Sequence, residues 1–379
     1  MGVQRYKNKI HLQTKSKNNM RVHNFNAGPA ILPESVLKKA ADAAIEFNGL
    51  GMSILEISHR SKDFQAVLDE AVSLVKEIAG LSDEYRVLFL QGGASSQFAM
   101  IPMNLLDANE TAGYVNTGTW AKKAQKEAKL FGNVAELASS EASSYTFIPK
   151  GFEIPETLKY LHLTSNNTIY GTQYAEYPLS PVPYIIDMSS DMFSRKFDYS
   201  QFDLIYAGAQ KNIGPAGVTV VILKESLLGK VSRQIPTMMD YRTHIKENSL
   251  FNTPPVFAIY VTMLTLRWIK ENGLEKIEKM NEEKASLLYK AIDSNLLFKG
   301  TVAKEDRSRM NVNFIMENRD LEPEFLQFAK EHKCVGLAGH RSVGGFRASI
   351  YNAMPLESVQ YLVSLMDEFA SLKSSLTSK

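Results

Sequence analysis

Apolar residues in this chain fall into two kinds of run. In DFQAVLDEAVSLVKEIAG, Phe64, Val67, Leu68, Ala71, Leu74, Val75 and Ile78 recur at spacings of three and four and stop at Gly80, the pattern of an amphipathic helix closed by glycine. Pro33 and Glu34 open another helix, and 119–130 reads as a third. By contrast, RVLFL (86–90), AGYV (112–115), YIIDM (184–188), DLIYA (203–207) and VTVVIL (218–223) are apolar without alternation. Strands buried on both faces read this way, so an α/β fold with a mostly parallel central sheet covered by helices is expected. Residues 256–293 read as a long helix and a second one broken near Gly273. Beyond them MNVNFIM, EPEFLQFAKEHK, FRASIY and LESVQYLVSLMDEFASL alternate strand and helix, a smaller C-terminal α+β unit. The expected division is a tail (1–20), a large domain (21–268) and a small one (269–379).

Composition narrows the class. With 379 residues, 44% hydrophobic and 22% charged, a globular domain with a deep core is expected. No apolar stretch approaches the roughly 18 residues of a membrane span, so neither a membrane nor a fibrous role is favoured. The net charge is +2, and residues 1–19 take Arg5, Lys7, Lys9, Lys15 and Lys17 without one acid. The body is therefore slightly acidic, which excludes nucleic-acid binding by charge. The tail lacks the apolar segment of a secretory signal and, with Met20 before the first orderly segment, reads as disordered or as an upstream start. The single cysteine, Cys334, excludes an internal disulfide and suits a reducing cytoplasm.

Ligands of open α/β sheets bind at the carboxyl ends of strands, so the polar residues after each apolar run are the candidates. QGGASSQF follows RVLFL and leads into a helix whose first N–H groups could hold a phosphate, although any strand-to-helix turn uses glycine. NTGTW places Trp120 beside a strand end, where it could cover a flat ring or simply be core. Thr168, after YLHLT, offers a hydroxyl at the same rim. Asp187 ends a hydrophobic strand, where a carboxylate is costly unless something cationic or protonated meets it. Lys211 follows DLIYAG, and lysine is almost never buried without a partner. A phosphate cradle, an aromatic ring, a strand-end carboxylate and a strand-end lysine are together what pyridoxal phosphate requires. The lysine forms a Schiff base with its aldehyde, and the carboxylate keeps the pyridine nitrogen protonated. A lysine of pKa about 10.4 is neutral only about once in 2,500 molecules at pH 7, so a pocket that lowers its pKa is useful.

AGAQKNIGPAG, NAGPAILP, SHRSKDF, DMSSDMFSR, NTPPVFAIY and GHRSVGGFRASIYNAM closely resemble the phosphoserine aminotransferase family, in class V of the fold-type I pyridoxal-phosphate enzymes. The likeness spans about residues 22–370. It implies a homodimer with active sites at the subunit interface, Lys211 as the Schiff-base lysine and Asp187 as partner of the pyridine nitrogen. Trp120 would stack on the ring and Thr168 reach its phenolic oxygen. The cofactor phosphate would rest on Ala94, Ser95 and Gln210, with Asn252 and Thr253 from the neighbouring subunit. Arg347 would clamp the substrate α-carboxylate. His59, Arg60, His340 and Arg341 would gather round the substrate phosphate or the glutamate side chain, although on residues alone each His-Arg pair reads as a solvated surface feature. Ser95 departs from the pattern, since some members carry arginine there. No metal site is expected.

The resemblance implies amino transfer between L-glutamate and 3-phosphohydroxypyruvate, giving 2-oxoglutarate and O-phospho-L-serine in serine biosynthesis. Some members also take 4-phosphohydroxy-L-threonine in vitamin B6 synthesis, which pocket volume decides. Alternatives within class V are an alanine-glyoxylate-type aminotransferase and a cysteine desulfurase. The latter needs a thiol on a mobile loop, whereas Cys334 in HKCVGLAG reads as a packed core residue. A nucleotide-dependent dehydrogenase would need G-x-G-x-x-G, which QGGASS does not supply.

Overall fold

The computed structural model describes residues 21–377; the expected tail over 1–20 lies outside the described residues. The chain opens with β1 (His23–Asn24), α1 (Glu34–Ile45) and α2 (Lys62–Ala79). Helix α2 starts where Ser61 Oγ accepts the Phe64 N–H and ends where Gly80 adopts φ 65°, a left-handed conformation that glycine takes without steric cost. There follow β2 (Tyr85–Leu90), α3 (Gly93–Leu105), β3 (Thr111–Asn116), α4 (Thr119–Ala128), β4 (Asn133–Ser139), β5 (Leu161–Thr164), β6 (Tyr184–Asp187), β7 (Leu204–Gly208) and β8 (Thr219–Lys224). Together they make a seven-stranded sheet in the order β2-β8-β7-β6-β5-β3-β4. Its pairings from β7 through to β4 are parallel, and β8 is antiparallel to both its neighbours.

The apolar runs are strands because both sheet faces are covered. Leu163, Ile186, Ile205 and Val220 pack in the core that includes α1, α2 and α6 (Val256–Asn272). The alternate residues Ile185, Leu204, Tyr206 and Val221 pack toward α3 and α4. Strand β4 escaped the reading by pattern because it is an edge strand whose residues are only partly buried, so its apolar signal is diluted.

After α5 (Tyr241–Lys246) and α6, Gly273 at φ 75° separates α6 from α7 (Leu274–Ser294). The expected boundary at 268/269 therefore falls within α6, whose Ile269 belongs to the larger core. The second unit contains β9 (Phe298–Gly300), β10 (Asn311–Met316), α8 (Glu322–Glu331), β11 (Cys334–Val335), β12 (Phe346–Ser349) and α9 (Leu356–Thr377). Strands β12-β10-β9 form an antiparallel sheet, and Phe298, Phe314, Phe325, Phe346 and Phe369 fill its core. Residues near the N-terminus join this unit too. β1 pairs parallel with β11, and Phe25 and Ile31 pack among the small-unit residues, so this stretch, expected in the large domain over 21–268, packs with the small unit.

Lys284 of α7 is buried (1% exposed), and its Nζ donates to the carbonyls of Ile350 (3.0 Å) and Tyr351 (2.7 Å) just beyond β12. Burial lowers its pKa to about 7. The unfolded chain keeps that proton up to about pH 10.4, so from pH 7 to 10 it binds more protons than the folded chain, and stability rises with pH. Lys284→Met should remove a slope of up to about 1.4 kcal/mol per pH unit. Urea denaturation of both proteins across that window should show the wild type gaining on the variant. A difference independent of pH would mean that the folded amine stays protonated.

Candidate active site

A cavity of about 210 Å³ lies where β5, β6 and β7 end and polar residues begin. Asp187, the last residue of β6, is 4% exposed. Its Oδ1 accepts the Ser189 N–H at 2.8 Å. Burial raises its carboxyl pKa, and the Ser189 hydrogen bonds and the Lys211 charge oppose that rise. The chain then returns through β7, buried along its length, to Gly208, and three residues later Lys211 enters the cavity. Lys211 Nζ donates to Thr168 Oγ1 at 2.6 Å. Burial draws its pKa down to about 8, with Asp187 acting against that and Arg347 adding to it. The two opposite charges share one cavity without forming an ion pair within 4.0 Å.

Thr168 also joins the two units. Its carbonyl accepts from Arg347 Nη1 at 3.3 Å, and Arg347 stands on β12 of the small unit. Burial lowers the Arg347 pKa, and its Nε is buried without a hydrogen-bond partner. Before α3, Gly92 turns at φ 88°, where a Cβ would stand 1.8 Å from Ser96 Oγ. That turn starts α3 at Gly93, so Gly93, Ala94 and Ser95 reach the cavity in a first turn whose N–H groups lack acceptors within the helix. Trp120, in the first turn of α4, and Gln210 complete the wall, and the Trp120 Nε1 is another buried donor without a partner.

A lysine, N–H groups at a helix start, a buried carboxylate and an aromatic side chain around one cavity fit a flat, phosphorylated, aldehyde-bearing ring. Of the residues anticipated from sequence, Ala94, Ser95, Trp120, Thr168, Asp187, Gln210 and Lys211 all line this cavity. Asn252, Thr253, His59 and Arg60 do not line it. The Thr253 carbonyl accepts from Gln91 Nε2 at 3.2 Å, and His59 Nε2 is buried without a partner. His340 and Arg341 occupy the exposed turn before β12. Sequence reading passed over Ser189, whose signal was its place two residues after a strand-end aspartate, where a backbone N–H can bond back to the carboxylate.

Residues 22–362 match the family model described as Aminotransferase class-V. The chain belongs to the class-V aminotransferases. This class-V aminotransferase is 58% identical to the phosphoserine aminotransferase of Phocaeicola vulgatus over 93% of its own length and 100% of the relative's. It is 57% identical to that of Flavobacterium johnsoniae, over 93% and 99%. Among solved structures, the phosphoserine aminotransferase of Bacillus circulans subsp. alkalophilus superposes with a TM-score of 0.91 at 50% identity, covering 93% of this chain and 99% of that one. A Trichomonas vaginalis phosphoserine aminotransferase with bound PLP gives 0.87 at 38% identity, covering 92% and 100%. The architecture is that of the fold-type I enzymes. Cys334 of this class-V aminotransferase is buried, its thiol pushed up to about 12 by that burial, and this removes the mobile thiol that a desulfurase needs. No helix among the described residues is long and apolar enough to cross a membrane.

A lysine of pKa about 8 is neutral in about one molecule in ten at pH 7. Competitive acylation of cofactor-free protein, followed by peptide mapping across pH 6 to 11, should give Lys211 a labelling midpoint near 8 and exposed lysines midpoints above 10. A Lys211 midpoint with the exposed lysines would contradict the effect of burial.

Proposed function

We propose that this chain is a pyridoxal-phosphate-dependent aminotransferase that moves an amino group reversibly between L-glutamate and 3-phosphohydroxypyruvate, yielding 2-oxoglutarate and O-phospho-L-serine for serine biosynthesis. The carrying observation is that Asp187, Lys211 and Thr168 line one cavity, while Arg347 of the second unit reaches its rim through the Thr168 carbonyl. When bound, pyridoxal phosphate supplies an aldehyde that links to amines and a ring that accepts the electron pair of a breaking Cα–H bond. The Ala94 and Ser95 N–H groups and the Gln210 side chain would hold its phosphate. Trp120 would cover its face, Thr168 would reach its phenolic oxygen, and Asp187 would keep its ring nitrogen protonated. Lys211 Nζ, with its pKa near 8, would accept the proton leaving the substrate Cα and return it.

Arg347 would grip the α-carboxylate with its planar fork. His59, Arg60, His340 and Arg341 would receive the far end of the substrate, a phosphate in one half-reaction and a carboxylate in the other. We further infer that the working form is a homodimer. His59, Arg60, Asn252 and Thr253 do not line the cavity of their own chain, and Ile45 and Leu55, near His59 in sequence, are 81% and 62% exposed. Both features suit segments that complete a neighbour's site. The setting that fits a lone, buried thiol is the cytoplasm.

A glutamate-coupled assay should detect turnover of 3-phosphohydroxypyruvate, and its absence would overturn the substrate assignment. Arg347→Ala should lower kcat/KM about ten- to a hundredfold for every amino or keto acid, the range for losing a charge-assisted hydrogen bond. Arg60→Ala should harm phosphorylated substrates more than unphosphorylated ones. Equal damage to both would count against placing Arg60 at the phosphate.

A further inference from the structure

Three cationic side chains lie near the His340 imidazole: Arg347 on β12, Arg341 in the turn before it, and Lys123 on α4. They are close enough that, after burial, the charges of Arg347, Arg341 and Lys123 hold the His340 imidazole below its ordinary pKa. Lys122, next to Lys123, is paired with Glu141. Lys123 has no such ion pair within 4.0 Å among the described residues, and neither do Arg341 and Arg347. Its Nζ stands instead 4.6 Å from the ring centroid of Trp120, which lines the cavity. A cation on an indole face keeps a favourable contact while its ammonium remains able to meet an anion. Like charges assembled without a counterion repel one another, and an incoming polyanion relieves that repulsion.

We propose that Lys123 is a substrate-binding residue that makes this site favour a phosphate dianion over a carboxylate, which rests on the phosphorylated-substrate function given above. The residue acts as a point charge at the site's edge and makes no directional clamp. Its attraction for a group of charge −2 is about twice that for a group of charge −1. Energies that double appear as affinity ratios that square. A loss of about threefold for glutamate, the modest scale of an exposed, screened cation, therefore implies about tenfold for a phosphorylated substrate.

The test compares Lys123→Gln, Lys123→Arg and Lys122→Gln in the holoenzyme. Steady-state kcat/KM is measured with O-phospho-L-serine and with L-glutamate. Inorganic phosphate is titrated against tryptophan emission in a Trp268→Phe background, where Trp120 is the remaining tryptophan reporter. Lys123→Gln should lose about tenfold with both phosphate and O-phospho-L-serine and about threefold with L-glutamate. Lys123→Arg should restore most of the loss, and Lys122→Gln should stay within about twofold of wild type. Equal losses for phosphorylated and carboxylate ligands, no loss, or the same loss in Lys122→Gln would overturn the proposal. A wild-type enzyme that fails to turn over O-phospho-L-serine would defeat the substrate assignment, while the phosphate titration would still decide the role of Lys123.

Discussion

Asp187 and Lys211 face the same cavity and do not touch, and that separation is the constraint on which the site depends. Each group is held against its own ionisation: burial pushes the carboxyl up and draws the amine down. Were they in contact, the ion pair would restore both charges and make the amine a poor nucleophile. The sheet prevents this. The parallel register places Asp187 opposite Tyr206, five residues before Lys211, and Ala209 and Gln210 carry the chain away from the strand before Lys211 turns into the cavity. Thr168 then gives the amine a neutral partner, so the space between the two charges remains available to a ring with its own charge distribution.

The same geometry ties the small unit to the large one. Thr168 holds Lys211 through its hydroxyl and Arg347 through its carbonyl, so the amine and the proposed carboxylate clamp share one reference point. Behind them runs a buried polar seam. Asn212 accepts the Asn352 N–H at 3.0 Å and donates to the Ser190 carbonyl at 3.0 Å. Asn352 Oδ1 in turn accepts from Asn281 of α7 at 2.8 Å. Because Asn212 follows Lys211 directly, the second unit helps to fix the backbone that aims the amine. A buried amide left without its partners would cost more than the bond contributes, which favours one arrangement of the two units.

Much of this was legible along the chain, for identifiable reasons. Strands buried on both faces announce themselves as unbroken apolar runs, and the rule that ligands bind at their carboxyl ends pointed to Asp187 and Lys211 directly. Edge strand β4 lacked that signal. The pairing of β1 with β11 joins His23 to Cys334, a contact that no local pattern encodes. Lys123 carries no distinguishing signal along the chain, because His340 and Arg341 near it come from the turn before β12, more than two hundred residues away. His59, Arg60, Asn252 and Thr253 do not line the cavity, and only the family resemblance gave them a role at a site.

The central claim is that Lys211 is the amine that engages the cofactor. Borohydride reduction of the purified protein with pyridoxal phosphate, followed by peptide mass mapping, tests it most directly. A reduced pyridoxyl group on Lys211 alone, absent from Lys211→Arg, is the result predicted; a group on any other lysine, or none, would contradict the account.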